Sequence, residues 1–124
     1  MRVDYYPNEL GEVSGSCLQG HQEASYDQLV KLFGEPNSDG DGDKVHIEWV
    51  INFDVLDKDS DDVEAHTATI YDWKEDYDAA RRVSSYNWHI GGFSKEAAHM
   101  VMDLIIDDKM GTTNSYYNFN RNFL

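Results

Sequence analysis

Residues 44–54 have the sequence KVHIEWVINFD, in which two kinds of position alternate. One set of positions is entirely apolar and consists of Val45, Ile47, Trp49, Ile51 and Phe53. The set between them is mostly polar and consists of His46, Glu48, Val50 and Asn52. Because successive side chains of a strand point to opposite faces, this period of two predicts a β-strand with one face in a core.

Neighbouring stretches predict further strands around this one. Residues 63–74, VEAHTATIYDWK, are rich in residues that favour strands and predict a second one. The link between the two strands, VLDKDSDD at 55–62, predicts a hairpin with a long, acidic tip. Residues 87–90, NWHI, predict a short third strand that ends at Gly91 and Gly92, and the weak alternation within 12–24 predicts a poor or edge strand.

Two helices are predicted from capping residues and apolar spacing. Ser25 precedes a stripe formed by Tyr26, Leu29, Val30 and Phe33, and Gly34 and Pro36 follow it. Ser94 precedes a second stripe, which runs to about residue 107 and contains Ala97, Val101, Leu104 and Ile105. The sequence therefore predicts one helix between the first two regions of strand and another near the end of the chain.

Together these elements predict an α+β fold, with a small antiparallel sheet of three to four strands and two helices packed on one face. The length of 124 residues fits a single acidic domain over residues 1–124. We expect residues 1–11 and 112–124 to be irregular termini. The aromatic residues of the tail could still dock on this domain as a strand, or on a second subunit.

The distribution of charge is the most informative feature of the composition. The chain has a formal net charge of −14, and residues 35–78 contain 15 acidic and three basic residues, a net charge of −12. Such a balance excludes non-specific binding to DNA, RNA or anionic lipid, because their phosphates would be repelled. Carboxylates at alternate residues of an extended segment recur about every 6.6–6.8 Å, so a row of them resembles a phosphate track. The alternative is a solvated acidic surface that keeps the protein soluble.

A calcium-binding loop is the strongest motif in the sequence. Its candidate ligands follow the spacing of an EF-hand and are Asn37, Asp39, Asp41, Asp43 and Glu48, with Gly42 at the turn. Three features oppose this interpretation. Asn replaces Asp at the first position of the loop, and Lys44 occupies the position where an EF-hand has the apolar residue that joins paired loops. Glu48 lies in the predicted strand, where an EF-hand has a helix. The alternative is a turn rich in Asp and Gly. We expect no cofactor, and calcium at this loop is the alternative.

Other chemistry finds little support. One cysteine, Cys17, excludes an internal disulfide and fits a reducing compartment. His46 and His66 lie on neighbouring predicted strands, but two histidines on a solvent-facing surface are the simpler interpretation. No motif for a nucleophile, a phosphate loop or a dinucleotide fingerprint is present, so we expect no enzymatic activity. The N-terminus has no signal-peptide pattern, and no apolar run is long enough to span a membrane.

Four stretches resemble a group of small, mostly uncharacterised bacteriophage proteins. They are YDQLVKLFGEP (26–36), GDKVHIEW (42–49), ATIYDWKE (68–75) and WHIGGFS (88–94). They match the patterns YDxLVxxFGEP, KVxxEWxI, ATIYDWK and WHIGGxS in that order. The resemblance implies a phage origin and expression in the host cytoplasm, and it implies no catalytic residues. This chain departs from the pattern in its long acidic tip at 55–62.

The charge and the resemblance together predict an inhibitor of a host defence or nucleic-acid-binding complex, of the anti-CRISPR or anti-restriction type. It would bind stoichiometrically through an acidic surface that mimics DNA. The residues expected to contact the partner are Asp57, Asp59, Asp61, Asp62, Glu64, Asp72, Glu75 and Asp76. The alternative is a calcium-binding or self-assembling phage accessory or structural protein. We expect a host protein as the partner, and no direct contact with nucleic acid or membrane. Assembly into a homodimer is also compatible with the sequence.

Overall fold

A computed structural model describes residues 2–8, 16–59, 61–112 and 116–120. The strands and helices in chain order are β1 (Arg2–Pro7), β2 (Cys17–Ala24), α1 (Tyr26–Phe33), β3 (Glu48–Leu56), β4 (Val63–Tyr71), α2 (Ala79–Arg82), β5 (Tyr86–Gly92), α3 (Lys95–Lys109) and β6 (Tyr117–Phe119). Of the two termini predicted to be irregular, residues 1, 9–11, 113–115 and 121–124 lie outside the described residues.

The strands form one six-stranded sheet in the order β2-β5-β4-β3-β1-β6. Every neighbouring pair is antiparallel except β1 and β6, which are parallel. The predicted fold class is therefore wrong: the sheet is mixed, it has six strands instead of three to four, and the described chain has three helices instead of two. The predicted irregular terminus is also wrong at Arg2–Pro7, because Val3 and Tyr5 are buried and the segment pairs with β3.

The predicted tail docks on the chain's own sheet. β6 lies beside β1, and the ring of Phe119 stacks on that of Tyr5 with centroids 5.0 Å apart. The prediction of an edge strand within 12–24 is confirmed by the position of β2 at one end of the strand order. β1 and β6 therefore lie together at the opposite end of the sheet from β2. The sequence does not predict β1, and it gives β6 only as one of two alternatives for the tail.

The helices pack on one face of the sheet and form the core with it. The rings of Trp49 and Trp88 meet edge to face at 5.4 Å, and both side chains are fully buried. The Trp49 indole N–H donates to the Gly34 carbonyl at 2.8 Å, and the Trp88 indole N–H donates to the Ala24 carbonyl at 2.9 Å. Each ring thus fills the core and fixes one end of the segment that contains α1, because Ala24 precedes the helix and Gly34 follows it.

Both predicted helices are confirmed, together with their caps. The Ser25 hydroxyl accepts from the Gln28 N–H at 3.0 Å, and the Ser94 hydroxyl accepts from the Ala97 N–H at 3.3 Å. α1 ends at Gly34, whose φ of 82° lies in the region that favours glycine. The Gln28 side chain donates to the Ile105 carbonyl at 3.2 Å, so it joins α1 to α3.

The predicted hairpin is confirmed, but β3 begins at Glu48 instead of residue 44. Residues 44–47 follow a different path, because the Asp72 carboxylate binds the backbone there. Its Oδ1 accepts from the N–H groups of His46, at 2.8 Å, and Ile47, at 3.0 Å. Val45 and Ile47 are nevertheless buried, so the apolar pattern predicted their burial correctly and their backbone conformation wrongly.

Candidate functional site

The acidic tip, which we define as Asp57, Asp59, Asp61 and Asp62, lies at one end of the β3–β4 hairpin. All four side chains are exposed. The Asp59 N–H donates to the Asp57 Oδ1 at 3.0 Å, which closes the turn after β3. Glu64 follows on β4, is exposed, and lies 2.8 Å from the His66 Nε2. Five of the eight residues predicted to contact a partner are therefore close together along the chain at this end.

The other three predicted contact residues are not part of that surface. Glu75 and Asp76 are exposed but follow the far end of β4. The nine residues of β4 make eight steps of about 3.4 Å, so this end of the strand lies roughly 27 Å from the tip. Asp72 is fully buried and accepts two backbone hydrogen bonds. The prediction that Asp72 contacts a partner is therefore corrected, since its carboxylate supports the loop before β3.

The predicted calcium ligands have other roles in the structure. The Asn37 amide bridges backbone groups, with its Oδ1 accepting from the Val50 N–H at 2.8 Å. Asp41 Oδ1 accepts from the N–H groups of three following residues at 2.9 Å each, and these bonds hold the pKa of Asp41 below its usual value. Glu48 lies in β3 and accepts from the Ser38 hydroxyl at 2.7 Å.

Asp39 and Asp43, the other two candidates, are exposed. Within the described ranges, no three His, Cys, Asp or Glu side chains form a group that could hold a metal ion. The segment is closed as a turn by the Asp41 carboxylate, and the five candidate ligands do not converge on a common point. Calcium binding stays a prediction from the sequence.

A cleft of about 530 Å³ lies between the N-terminal end of α1 and the loops on either side of the hairpin. The Arg81 guanidinium lies 5.0 Å from the centroid of the Tyr26 ring on one side, and the rings of His46 and Tyr77 meet edge to face at 5.8 Å. Asp78, which also lines the cleft, has a φ of 68°, an uncommon backbone conformation for a residue other than glycine. This cleft is not predicted from the sequence, because its walls come from three distant segments.

The face of the sheet opposite the helices carries a row of four titratable side chains. The row crosses four strands in register, since His21 pairs with His89, His89 with Tyr71, and Tyr71 with Glu48. Burial lowers the pKa of His89 and raises the pKa values of Tyr71 and Glu48. The site is therefore partly shielded from water, and burial disfavours the charged form of each of these three groups.

The rings at one end of this row are in mutual contact. The His21 and His89 rings have centroids 4.4 Å apart, and His89 also lies 5.4 Å from Tyr71 and 5.9 Å from Trp73. Two lysines approach the half-exposed Trp73 ring, with the Nζ atoms of Lys44 and Lys74 each 5.8 Å from its centroid. The row thus ends in an aromatic cluster with two positive charges at its edge.

The sequence places a different pair of histidines, His46 and His66, on neighbouring predicted strands. In the structure His46 contacts Tyr77, while His66 lies 3.2 Å from the Ser94 hydroxyl that caps α3. The alternation of side chains along β2 and β5 shows which residues of each strand share a face of the sheet. Only the register between the two strands places His21 directly opposite His89. That register is a non-local property, which a single sequence does not display.

No described helix is long and apolar enough to cross a membrane. Comparison with known proteins adds no assignment: no family model, no curated protein and no solved structure matches this chain.

Proposed function

We propose that this protein is a phage-encoded inhibitor that acts in the host cytoplasm and binds a host nucleic-acid-binding complex, of the anti-CRISPR or anti-restriction type. It acts by occupancy, one inhibitor to one partner, without catalysis. The acidic tip enters the partner's basic groove and takes the place of a nucleic-acid backbone. The observation that carries this proposal is the exposure of four aspartates within six successive residues at the end of one hairpin.

The position of the hairpin in the sheet supports this role. β3 and β4 are central strands, flanked by β1 on one side and β5 on the other. The side chains at the base of the hairpin, including Trp49, Ile51 and Ile70, are fully buried. This packing fixes the base of the hairpin in the core, so the base does not have to reorganise when the tip binds, which favours affinity. Its concentrated negative charge also speeds encounter with a basic partner at low salt.

The experiment compares two variants that lose the same charge at opposite ends of the hairpin. The tip variant carries Asn at Asp57, Asp59, Asp61 and Asp62. The control variant carries Asn at Asp39, Asp43 and Asp76 and Gln at Glu75, all of which are exposed. Each immobilised protein captures partners from a nuclease-treated bacterial lysate that contains active defence systems. A captured protein is identified, and its release of labelled nucleic acid is measured as each inhibitor is added.

We expect the wild type and the control variant to displace nucleic acid from the captured protein, and the tip variant to fail or to need far higher concentrations. Exposed ion pairs contribute about 0.2–1 kcal/mol each, so four of them give roughly 1–4 kcal/mol, or at least about fivefold in Kd. Full inhibition by the tip variant would refute the role of the tip. Captured proteins that bind no nucleic acid would refute the proposed function as a whole.

A further inference from the structure

We propose that the cleft beside the N-terminal end of α1 binds a small organic cation through its guanidinium group. The cleft has a volume of about 530 Å³, and sites for small molecules usually have volumes of about 300–1,000 Å³. The guanidinium group is placed between the Tyr77 ring and the Asp39 carboxylate, since both residues line the cleft. This proposal is independent of the inhibitory function, because the acidic tip lies at the other end of the hairpin.

The charge of the surroundings favours a cation over an anion. Most residues that line the cleft belong to the segment 35–78, which has a net charge of −12. Asp78 lies 3.8 Å from the guanidinium groups of both Arg81 and Arg82, so its charge is compensated. Asp39 has no hydrogen-bond or ion-pair partner among the described residues. One uncompensated carboxylate therefore lines the cleft, in a negative field that concentrates cations.

The aromatic walls of the cleft already hold one guanidinium group and leave a second ring free. The Arg81 guanidinium lies 5.0 Å from the centroid of the Tyr26 ring, within the distance of about 6 Å that is typical of cation–π contacts. The Tyr77 ring is 76% exposed, and no described lysine or arginine makes such a contact with it. The His46 ring meets the Tyr77 ring edge to face at 5.8 Å and supports it from one side. A cation in the cleft can therefore bind to the Tyr77 ring.

The combination of an aromatic ring and a carboxylate selects the type of cation. A guanidinium group is planar, so its face stacks on a ring while its edge donates two parallel hydrogen bonds to a carboxylate. An ammonium group is a compact and strongly hydrated point charge, which lacks both of these features. Pro36 and Ile47 add apolar surface to the cleft, and this surface suits the methylene chain of an arginine-like molecule.

Titration with agmatine tests this proposal, because agmatine carries a guanidinium group on a four-carbon chain and has no carboxylate. The comparison ligand is putrescine, in which an ammonium group replaces the guanidinium group on the same chain. Binding is followed through the backbone amide signals in NMR spectra at constant ionic strength. The test variants are Tyr77→Ala and Asp39→Asn, and both positions are exposed.

Each test variant has a matched control outside the cleft. Phe93→Ala removes a different exposed aromatic ring, and Asp61→Asn removes a different exposed carboxylate. Circular dichroism establishes that every variant is folded. Because all four positions are exposed, we expect the folded structure to be retained in each case.

We expect saturable shifts of the Asp39 and Tyr77 amide signals, with one agmatine bound per chain. Each test variant should weaken agmatine binding by about two- to fivefold, and the double variant by at least about fourfold. Putrescine should bind more weakly than agmatine, and both controls should bind agmatine like the wild type. Unchanged affinity in the double variant, or shifts that spread over the acidic tip without saturation, would overturn the site. Equal affinity for putrescine would overturn the selection of a guanidinium group.

Discussion

Replacing Asp72 with alanine is expected to lower the free energy of unfolding strongly, because this one carboxylate accepts two backbone hydrogen bonds. Asp72 is fully buried at the end of β4, and its Oδ1 accepts from the N–H groups of His46 and Ile47 at 2.8 and 3.0 Å. These two bonds hold the segment before β3 against the end of the hairpin. Alanine removes the acceptor and leaves two backbone donors without it.

The expected magnitude follows from the surroundings of the two donors. A buried donor that loses its acceptor costs about 1–3 kcal/mol. The bond to Ile47 is buried and the bond to His46 is partly buried, so the second loss lies toward the lower end of that range. The total is about 2–4 kcal/mol. For a domain of this size, each kcal/mol lowers Tm by roughly 3–5 °C, so Tm should fall by roughly 6–20 °C.

Urea unfolding followed by tryptophan fluorescence measures the free energy of unfolding, because Trp49 and Trp88 are buried in the core. Asp72→Asn is the matched control, since its side-chain oxygen can still accept from both N–H groups. We expect this control to cost about 1 kcal/mol, which is the loss of charge assistance alone. This role of Asp72 would be contradicted if Asp72→Ala unfolded at the same urea concentration as the wild type, or if Asn and Ala were equally destabilising.

Two further predictions concern the tail and the first helix. Burial, with Asp103 and Asp107 adding to it, raises the pKa of Tyr117 from 10.0 to about 12. The folded state therefore favours the neutral phenol, and this contribution to stability is complete below pH 10 and is lost as the pH rises toward 12. Tyr117→Phe should remove that alkaline loss in pH-dependent unfolding, and a variant that keeps the wild-type pH profile would contradict the assignment. Ser25→Ala should cost about 0.5–2 kcal/mol in urea unfolding, because it removes the cap of α1, whereas Ser25→Asp should retain most of the stability; equal losses in the two variants would mean that the cap contributes little.

The elements that the sequence predicts well are those whose signals are local. Ser25 and Ser94 each predict a helix, because each is a capping residue followed by apolar residues at helical spacing. The backbone N–H group that each hydroxyl caps lies only three residues further along the chain. The β3–β4 hairpin is similarly local, since its strands are joined directly by the acidic tip. In each case the interaction that stabilises the element lies within the stretch of sequence that predicts it.

The elements that escape prediction depend on distant partners. β1 is a six-residue strand that ends in Pro7, and its pairing with Phe53 through Tyr5 lies 48 positions away in the chain. β6 has only three residues and exists as a strand because β1 is beside it. The role of Asp72 is hidden for the same reason, because its buried carboxylate serves backbone groups 25 and 26 residues earlier. Charge alone suggested a surface contact there, whereas burial and hydrogen bonding decide its role.

The hairpin also determines where the acidic residues of the segment 35–78 lie in space. In the sequence, residues 35–78 form one region with a net charge of −12. Because the chain reverses at the tip, the structure divides this region into two acidic ends, the tip and the loops that contain Asp39, Glu75 and Asp76, roughly 27 Å apart. That distance equals about eight base pairs of duplex DNA at 3.4 Å each. A partner with a short basic groove can contact only one end, whereas a channel that holds a longer duplex can contact both.

The tip variant and the control variant therefore also indicate how far the basic surface of the partner extends. Loss of inhibition in the tip variant alone indicates a compact groove that receives the hairpin end. Loss in both variants indicates a basic channel that extends along the whole hairpin, since exposed charges about 27 Å apart are screened from each other at physiological salt and must act through separate contacts. In either case the sheet acts as a rigid spacer, because its central strands fix the distance between the two acidic ends.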